Sequence, residues 1–219
     1  MADMKKLVIF DLDGTLTNTV PDIEDNVNKT MRKFGYPEIT ADEARRFVGN
    51  GAKILIERSL KGVMPDNFNE IVDFYNKSYN FCGSPRTFVY EGMKDVIQKL
   101  KNDGYLLAVV SNKPQDGTNE VIKTFFGNGI FDYVFGQRDG VKTKPDKQPV
   151  EITLNALGVK KDDAVYVGDS EVDVLTARNS GVDGITVLWG YRDKELLLEN
   201  GAKTLVSTAE ELYKTIKKL

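Results

Sequence analysis

The 219-residue chain contains no histidine and a single cysteine, Cys82. Without histidine there is no Ser-His-Asp or Cys-His nucleophile and no His-ligated zinc or haem. One cysteine cannot form an internal disulfide, which suits a reducing compartment. Any metal must be held by oxygen, as Mg2+, Mn2+ or Ca2+ are, and acid–base work falls to Asp, Glu, Lys or Tyr. No apolar run approaches the ~20 residues of a membrane-spanning helix. The opening MADMKK leads into a strand pattern rather than a signal peptide. A net charge of −3 carries no footprint for nucleic acid or an anionic membrane. A cytoplasmic protein with neither nucleic-acid nor membrane partner is therefore expected.

What is present is ordinary for a globular chain: 41% hydrophobic and 29% charged residues. KLVIFD reads as a buried strand. From Val20 to Cys82 consecutive helices follow. One begins at Pro21 and stops at Gly35; the next carries the capping-box spacing of Thr40 and Glu43. Ile54, Leu55, Leu60 and Val63 are spaced for one helix face. Phe68, Ile71, Val72, Tyr75 and Tyr79 recur at intervals near three and four. Beyond GSPRTFVYEG, strands such as YLLAVVSN, DYVFG, AVYVGDS and GITVLWG alternate with helices. That spacing indicates right-handed crossovers and a mostly parallel sheet. The expected fold is α/β: a Rossmann-like core from residues 1–17 and 86–219, with a helical cap domain inserted at 18–85.

In an open parallel sheet, ligands bind beyond the carboxyl ends of the strands. Polar residues gather there: Asp11 and Asp13 after LVIF, Ser111 and Asn112 after LLAVV, Asp169 after AVYVG, with Lys144 in the loop after DYVFG. A turn or helix cap needs at most one of the first two acids. An EF-hand calcium loop needs Gly sixth and Glu twelfth, where this chain has Leu16 and Asp22. Two carboxylates two apart at a strand end suit one attacking while its neighbour moves a proton. Asp169 in GDSEVD could ligate a metal, and Asp173 could ligate it through water or orient its neighbours; helix capping by Asp169 or Ser170 is the alternative. Lys144 could equally be a solvated surface lysine, the expected fate of Lys142 and Lys147.

DLDGT, SNK at 111–113, KP at 144–145 and GDSEVD at 168–173 stand in the order of the haloacid dehalogenase superfamily motifs, and the early helical insertion resembles the C1 cap subclass. FVGNGA at 47–52 and WGY at 189–191 resemble the phosphoglycolate phosphatases. The resemblance implies Asp11 as nucleophile forming an aspartyl-phosphate and Asp13 as acid and then base. It implies Mg2+ held by Asp11, the Asp13 carbonyl and Asp169, with Ser111 and Lys144 on the phosphoryl oxygens. It further implies that Arg45, Gly49, Asn50, Gly51 and Asn112 meet the substrate; Arg45, Arg46 and Lys53 could instead form a solvated helix face. The second acid, Asp13, favours phosphate esters, since a halide leaving group needs no proton. The expected activity is Mg2+-dependent hydrolysis of a small phosphorylated metabolite, phosphoglycolate foremost, by a monomer or homodimer. A β-phosphoglucomutase-type phosphotransferase and an inactive phosphometabolite-binding scaffold are the alternatives.

Overall fold

The computed structural model describes residues 5–78 and 86–219; the expectations placed on Tyr79 and Cys82 lie outside them. A six-stranded parallel sheet runs in the order β5-β4-β1-β6-β7-β8. Its strands are β1 (Leu7–Phe10), β4 (Leu106–Pro114), β5 (Tyr133–Gln137), β6 (Ala164–Gly168), β7 (Asp183–Val187) and β8 (Leu205–Val206). The chain builds outward from β1 to β5, then crosses back to lay β6 on the other side of β1. The strand order therefore reverses beside β1, where crevices open in such sheets.

The sheet is buried on both faces, as its continuous apolar runs require. Val8 and Phe10 of β1 pack into a cluster with Met93, Val96, Ile97 and Leu212, contributed by α5 (Met93–Asn102) and α10 (Ala209–Ile216). Leu7 and Ile9 face the opposite cluster, with Val150 and Leu154 of α7 (Gln148–Leu157) and Ala177 of α8 (Glu171–Ser180). All four β1 side chains are fully buried. At roughly 1.5–3 kcal/mol for each large apolar side chain buried, β1 is firmly seated and its end is a fixed point.

Residues 20–78 form a helical layer with its own core: α1 (Val20–Phe34), α2 (Ala41–Phe47), α3 (Ala52–Ser59) and α4 (Phe68–Ser78). Val27, Met31, Ala44, Leu55, Ile56, Ile71 and Tyr75 fill it, together with Tyr191 from the loop after β7. The Thr40–Glu43 capping box forms as its spacing predicts. The stripe expected through Val63 does not form. The helix ends at Ser59, Lys61 turns the chain at φ 51°, and Val63 is left 51% exposed while Ile56 takes the buried place. Where the chain passes between the layers, β2 (Thr17–Asn18) and β3 (Phe88–Val89) pair antiparallel into a short ribbon. That ribbon, α9 (Lys194–Glu199), β8 and α10 are additional to the elements expected from the sequence.

Candidate active site

Register fixes which residues meet at the end of the sheet. Phe10 pairs with Val109 on one side and Val167 on the other, so the residues after β1, β4 and β6 emerge together. The Asp11 amide extends the ladder to Val167 O at 2.8 Å. The chain then turns sharply, Gly14 adopting φ 99°. A Cβ at Gly14 would fall on the Asp169 carboxylate, so glycine is what allows the loops after β1 and β6 to approach each other.

Lys144 is buried beneath this surface. Its Nζ donates to Asp11 Oδ1 at 2.7 Å, Asp173 Oδ1 at 2.8 Å and the Tyr166 hydroxyl at 3.0 Å. Burial alone would lower its pKa, but Asp11 and Asp173 outweigh that and hold the ammonium well above its ordinary value. Burial pushes the Asp11 carboxyl well up against the opposing pull of Lys144, with Asp173 and Asp169 adding to the rise. The Asp173 carboxyl is likewise buried, yet Lys144, Ser170 and Tyr166 hold it below the usual range. Its Oδ2 accepts from the Ser170 hydroxyl at 2.6 Å, and Ser170 rather than Asp169 caps α8.

Asp169 is thereby free of capping. Its Oδ1 accepts from Thr15 Oγ1 at 3.1 Å and its Oδ2 from the Tyr191 amide at 2.7 Å. Burial first, and then Asp173, push its pKa up to about 7. Ligand oxygens of Asp11, Asp169 and Asp173 lie within 4.8 Å of one another. A buried, oxygen-only set with more acid than Lys144 can balance fits a hard divalent cation.

Above these groups a cavity of about 550 Å³ lies between the strand ends and the helical layer. Asp11, Asp13, Ser111 and Lys144 line it from the sheet; Gly49, Gly51 and Lys53 line it from the helical layer. Ser111 Oγ accepts the Lys113 amide at 3.2 Å, which leaves its own proton to donate. Asp13 Oδ1 accepts from Thr19 Oγ1 at 2.7 Å and lies 3.6 Å from Lys113 Nζ.

Of the residues expected at the substrate, Asn112 and Arg45 are engaged elsewhere and Asn50 lies away from the cavity. Asn112 lines the cavity, but its amide spans the Lys144 backbone in both directions and donates to Gly49 O at 2.9 Å. Arg45 is outside the cavity lining: its guanidinium donates to Tyr191 O at 2.9 Å and lies 3.6 Å from Asp193. Asn50 is also outside the lining, with a buried Oδ1 that meets no donor among the described residues. Lys142 and Lys147 pair with Asp146 and Glu151 at the surface, as expected.

Several contributors carried no role in the sequence reading. Tyr166 looks like any aromatic of a buried strand until β6 is set beside β1. Arg192 reaches from Glu171 Oε2 at 2.9 Å to the carbonyls of Arg45 and Val48 at 2.9 and 2.7 Å, pinning α2 to the start of α8. Thr15 and Thr19 lie within DLDGTLTNT, and Lys113 and Tyr191 lie within the quoted SNK and WGY, so proximity to a motif was the one available signal.

Residues 8–187 match the family described as haloacid dehalogenase-like hydrolase. The chain belongs to that family. The hydrolase is 32% identical over 195 residues to a phosphoglycolate phosphatase of Psychrobacter arcticus, covering 85% of each chain. It is 28% identical over 221 residues to one of Colwellia psychrerythraea, covering 98% of each. Among solved structures, a protein of Lactobacillus delbrueckii subsp. bulgaricus proposed to be a phosphoglycolate phosphatase superposes with a TM-score of 0.93 at 30% identity, over 99% of this chain and 100% of that one. The hydrolase is a phosphatase, a phosphoric monoester hydrolase of this family. Among the described residues no helix is long and apolar enough to cross a membrane.

Proposed function

We propose that the hydrolase cleaves a small phosphorylated metabolite through an aspartyl-phosphate on Asp11, with Mg2+, and that phosphoglycolate is its leading substrate. The observation that carries this reading is the Asp11 carboxylate at the cavity floor, with Lys144 at 2.7 Å on Oδ1. The other oxygen is then the one to attack. As it bonds to phosphorus, the ester P–O bond breaks and Asp13 gives a proton to the departing alcohol. Water next attacks the phosphorus, losing a proton to Asp13, and Asp11 is restored as inorganic phosphate leaves. Ser111 donates to a phosphoryl oxygen and Lys144 supplies fixed positive charge to the others.

Asp11 and Asp169 would hold the ion, with the Asp13 carbonyl beside them and Asp173 through water. When bound, Mg2+ supplies charge where the phosphoryl oxygens become more negative. The helical layer would act as a cap that excludes water, with residues 18–85 as a separate domain. Lys53 and Arg138, both on the cavity wall, are cations suited to a carboxylate on the leaving group, and the names of the relatives favour phosphoglycolate. Release of inorganic phosphate from phosphoglycolate and a panel of other phosphometabolites, with Mg2+ or with EDTA, tests the reading. Full turnover by Asp11→Asn would sink it, and isomerised sugar phosphate without free phosphate would make it a mutase.

A further inference from the structure

Thr19 occupies the amino-terminal cap position of α1, yet its hydroxyl caps nothing. A threonine at this position ordinarily caps the helix through its hydroxyl; here the hydroxyl is committed to something else. It sits between two groups: Asp13 Oδ1 at 2.7 Å and the Tyr191 hydroxyl at 3.2 Å. The direction of both bonds follows from counting protons. The Thr19 hydroxyl donates to Asp13 Oδ1. Tyr191 Oη already accepts the Thr19 amide at 2.9 Å, so its single proton goes to Thr19 Oγ1. Lys113 Nζ approaches the same Oδ1, at 3.6 Å. A proton placed on Oδ1 would face two donors.

Tyr191 comes from the WGY motif, whose resemblance to a subfamily assigned it no task. Its ring is buried in the core of the helical layer, whereas its backbone amide donates to Asp169 Oδ2 at 2.7 Å. One residue thus holds Asp169 directly and Asp13 through Thr19.

We propose that Tyr191 is a positioning residue for proton transfer at Asp13: with Thr19 it commits Oδ1 to accepting and presents Oδ2 as the oxygen that carries the proton. This rests on the reading of Asp13 as the proton carrier. In the first half-reaction the Oδ2–H bond breaks, its proton passes to the leaving oxygen, and that oxygen keeps the electron pair of the broken P–O bond. In the second, Oδ2 takes a proton from the water that bonds to phosphorus.

Leaving-group dependence separates this role from a structural one. p-Nitrophenolate departs without a proton, whereas an alkoxide needs one. Tyr191→Phe is expected to lower kcat/KM for an alkyl phosphate such as phosphoglycolate ~10-fold and for p-nitrophenyl phosphate less than ~3-fold, a fraction of what general acids contribute. Thr19→Val should repeat the pattern, and Thr19→Ser, which keeps the hydroxyl, should hold the ratio of the two substrates near that of the parent. If Asp13→Asn itself loses both substrates equally, the role of Asp13 as acid falls. If Asp13→Asn shows the dependence but Tyr191→Phe and Thr19→Val lower both substrates alike, or neither, the positioning role is overturned and that of Asp13 stands. Should Tyr191→Phe fail to fold, the Thr19 pair decides alone.

Discussion

At the strand ends each charged side chain is held by another charged or hydroxyl-bearing side chain; across the cavity, the helical layer is held by backbone carbonyls. Lys144, Asp11, Asp173 and Tyr166 form a closed set of contacts between 2.7 and 3.1 Å. The opposing layer is fixed by guanidinium groups, Arg45 on Tyr191 O and Arg192 on Arg45 O and Val48 O. The first kind of contact depends on residue type at every point, because removing one charge strands another. The second tolerates change in the residues whose carbonyls are used. On the proposed reading, the floor carries the chemistry, while the roof could vary its inward-facing side chains and with them the substrate.

Several substitutions would break or sharpen that contrast. Asp11→Asn should lower kcat by on the order of 10⁴-fold or more, as loss of a nucleophile does, measured as phosphate release. Lys144→Met should lower activity by roughly 10³-fold and destabilise the fold by about 3 kcal/mol, because Asp11 and Asp173 are left buried and unpaired; denaturant unfolding checks the second figure. An equal loss of activity from a roof substitution would abolish the distinction between floor and roof.

Next in size is a pH effect on stability in EDTA. Asp169 has its folded pKa raised to about 7, above its unfolded value of 3.8. The folded state therefore binds more protons across that window, and stability falls as pH rises through it. Asp11, also raised, acts in the same direction. The metal-free protein should melt at a higher temperature at about pH 5 than at about pH 8, and added Mg2+ should remove most of the difference by stabilising the ionised carboxylates. A flat profile in EDTA would mean that the floor is less desolvated than its geometry implies. The smallest effect belongs to the roof: Lys53→Ala should raise KM a few-fold, roughly 3–10, with kcat nearly unchanged, and an unchanged KM would remove Lys53 from substrate binding.

Much of the fold was legible because its signals are local. The run LVIF followed by acids, the glycines that end helices, and the Thr40–Glu43 box each need only neighbouring residues. The stripe through Val63 misled because periodicity says nothing about where a helix stops; Lys61 and Gly62 turn the chain before the last position is reached. The β2–β3 ribbon escaped notice because two-residue strands carry no pattern.

For the candidate site, the sequence by itself determined the inventory: oxygen ligands only, no histidine chemistry, acids and a lysine placed at or near strand ends. These follow from composition and from the rule that a parallel sheet collects polar groups at one edge. Tertiary structure alone decided the pairing. Lys144 reaches Asp11 across 133 residues and Asp173 across 29, distances in the chain that no spacing argument covers. It also turned Asn112 and Arg45 to backbone carbonyls, and it brought Tyr191 and Arg192 between the layers. Burial is the physical reason: once water is excluded, each polar atom takes whichever partner the packed neighbours offer, and those neighbours are set by strand order rather than by sequence proximity.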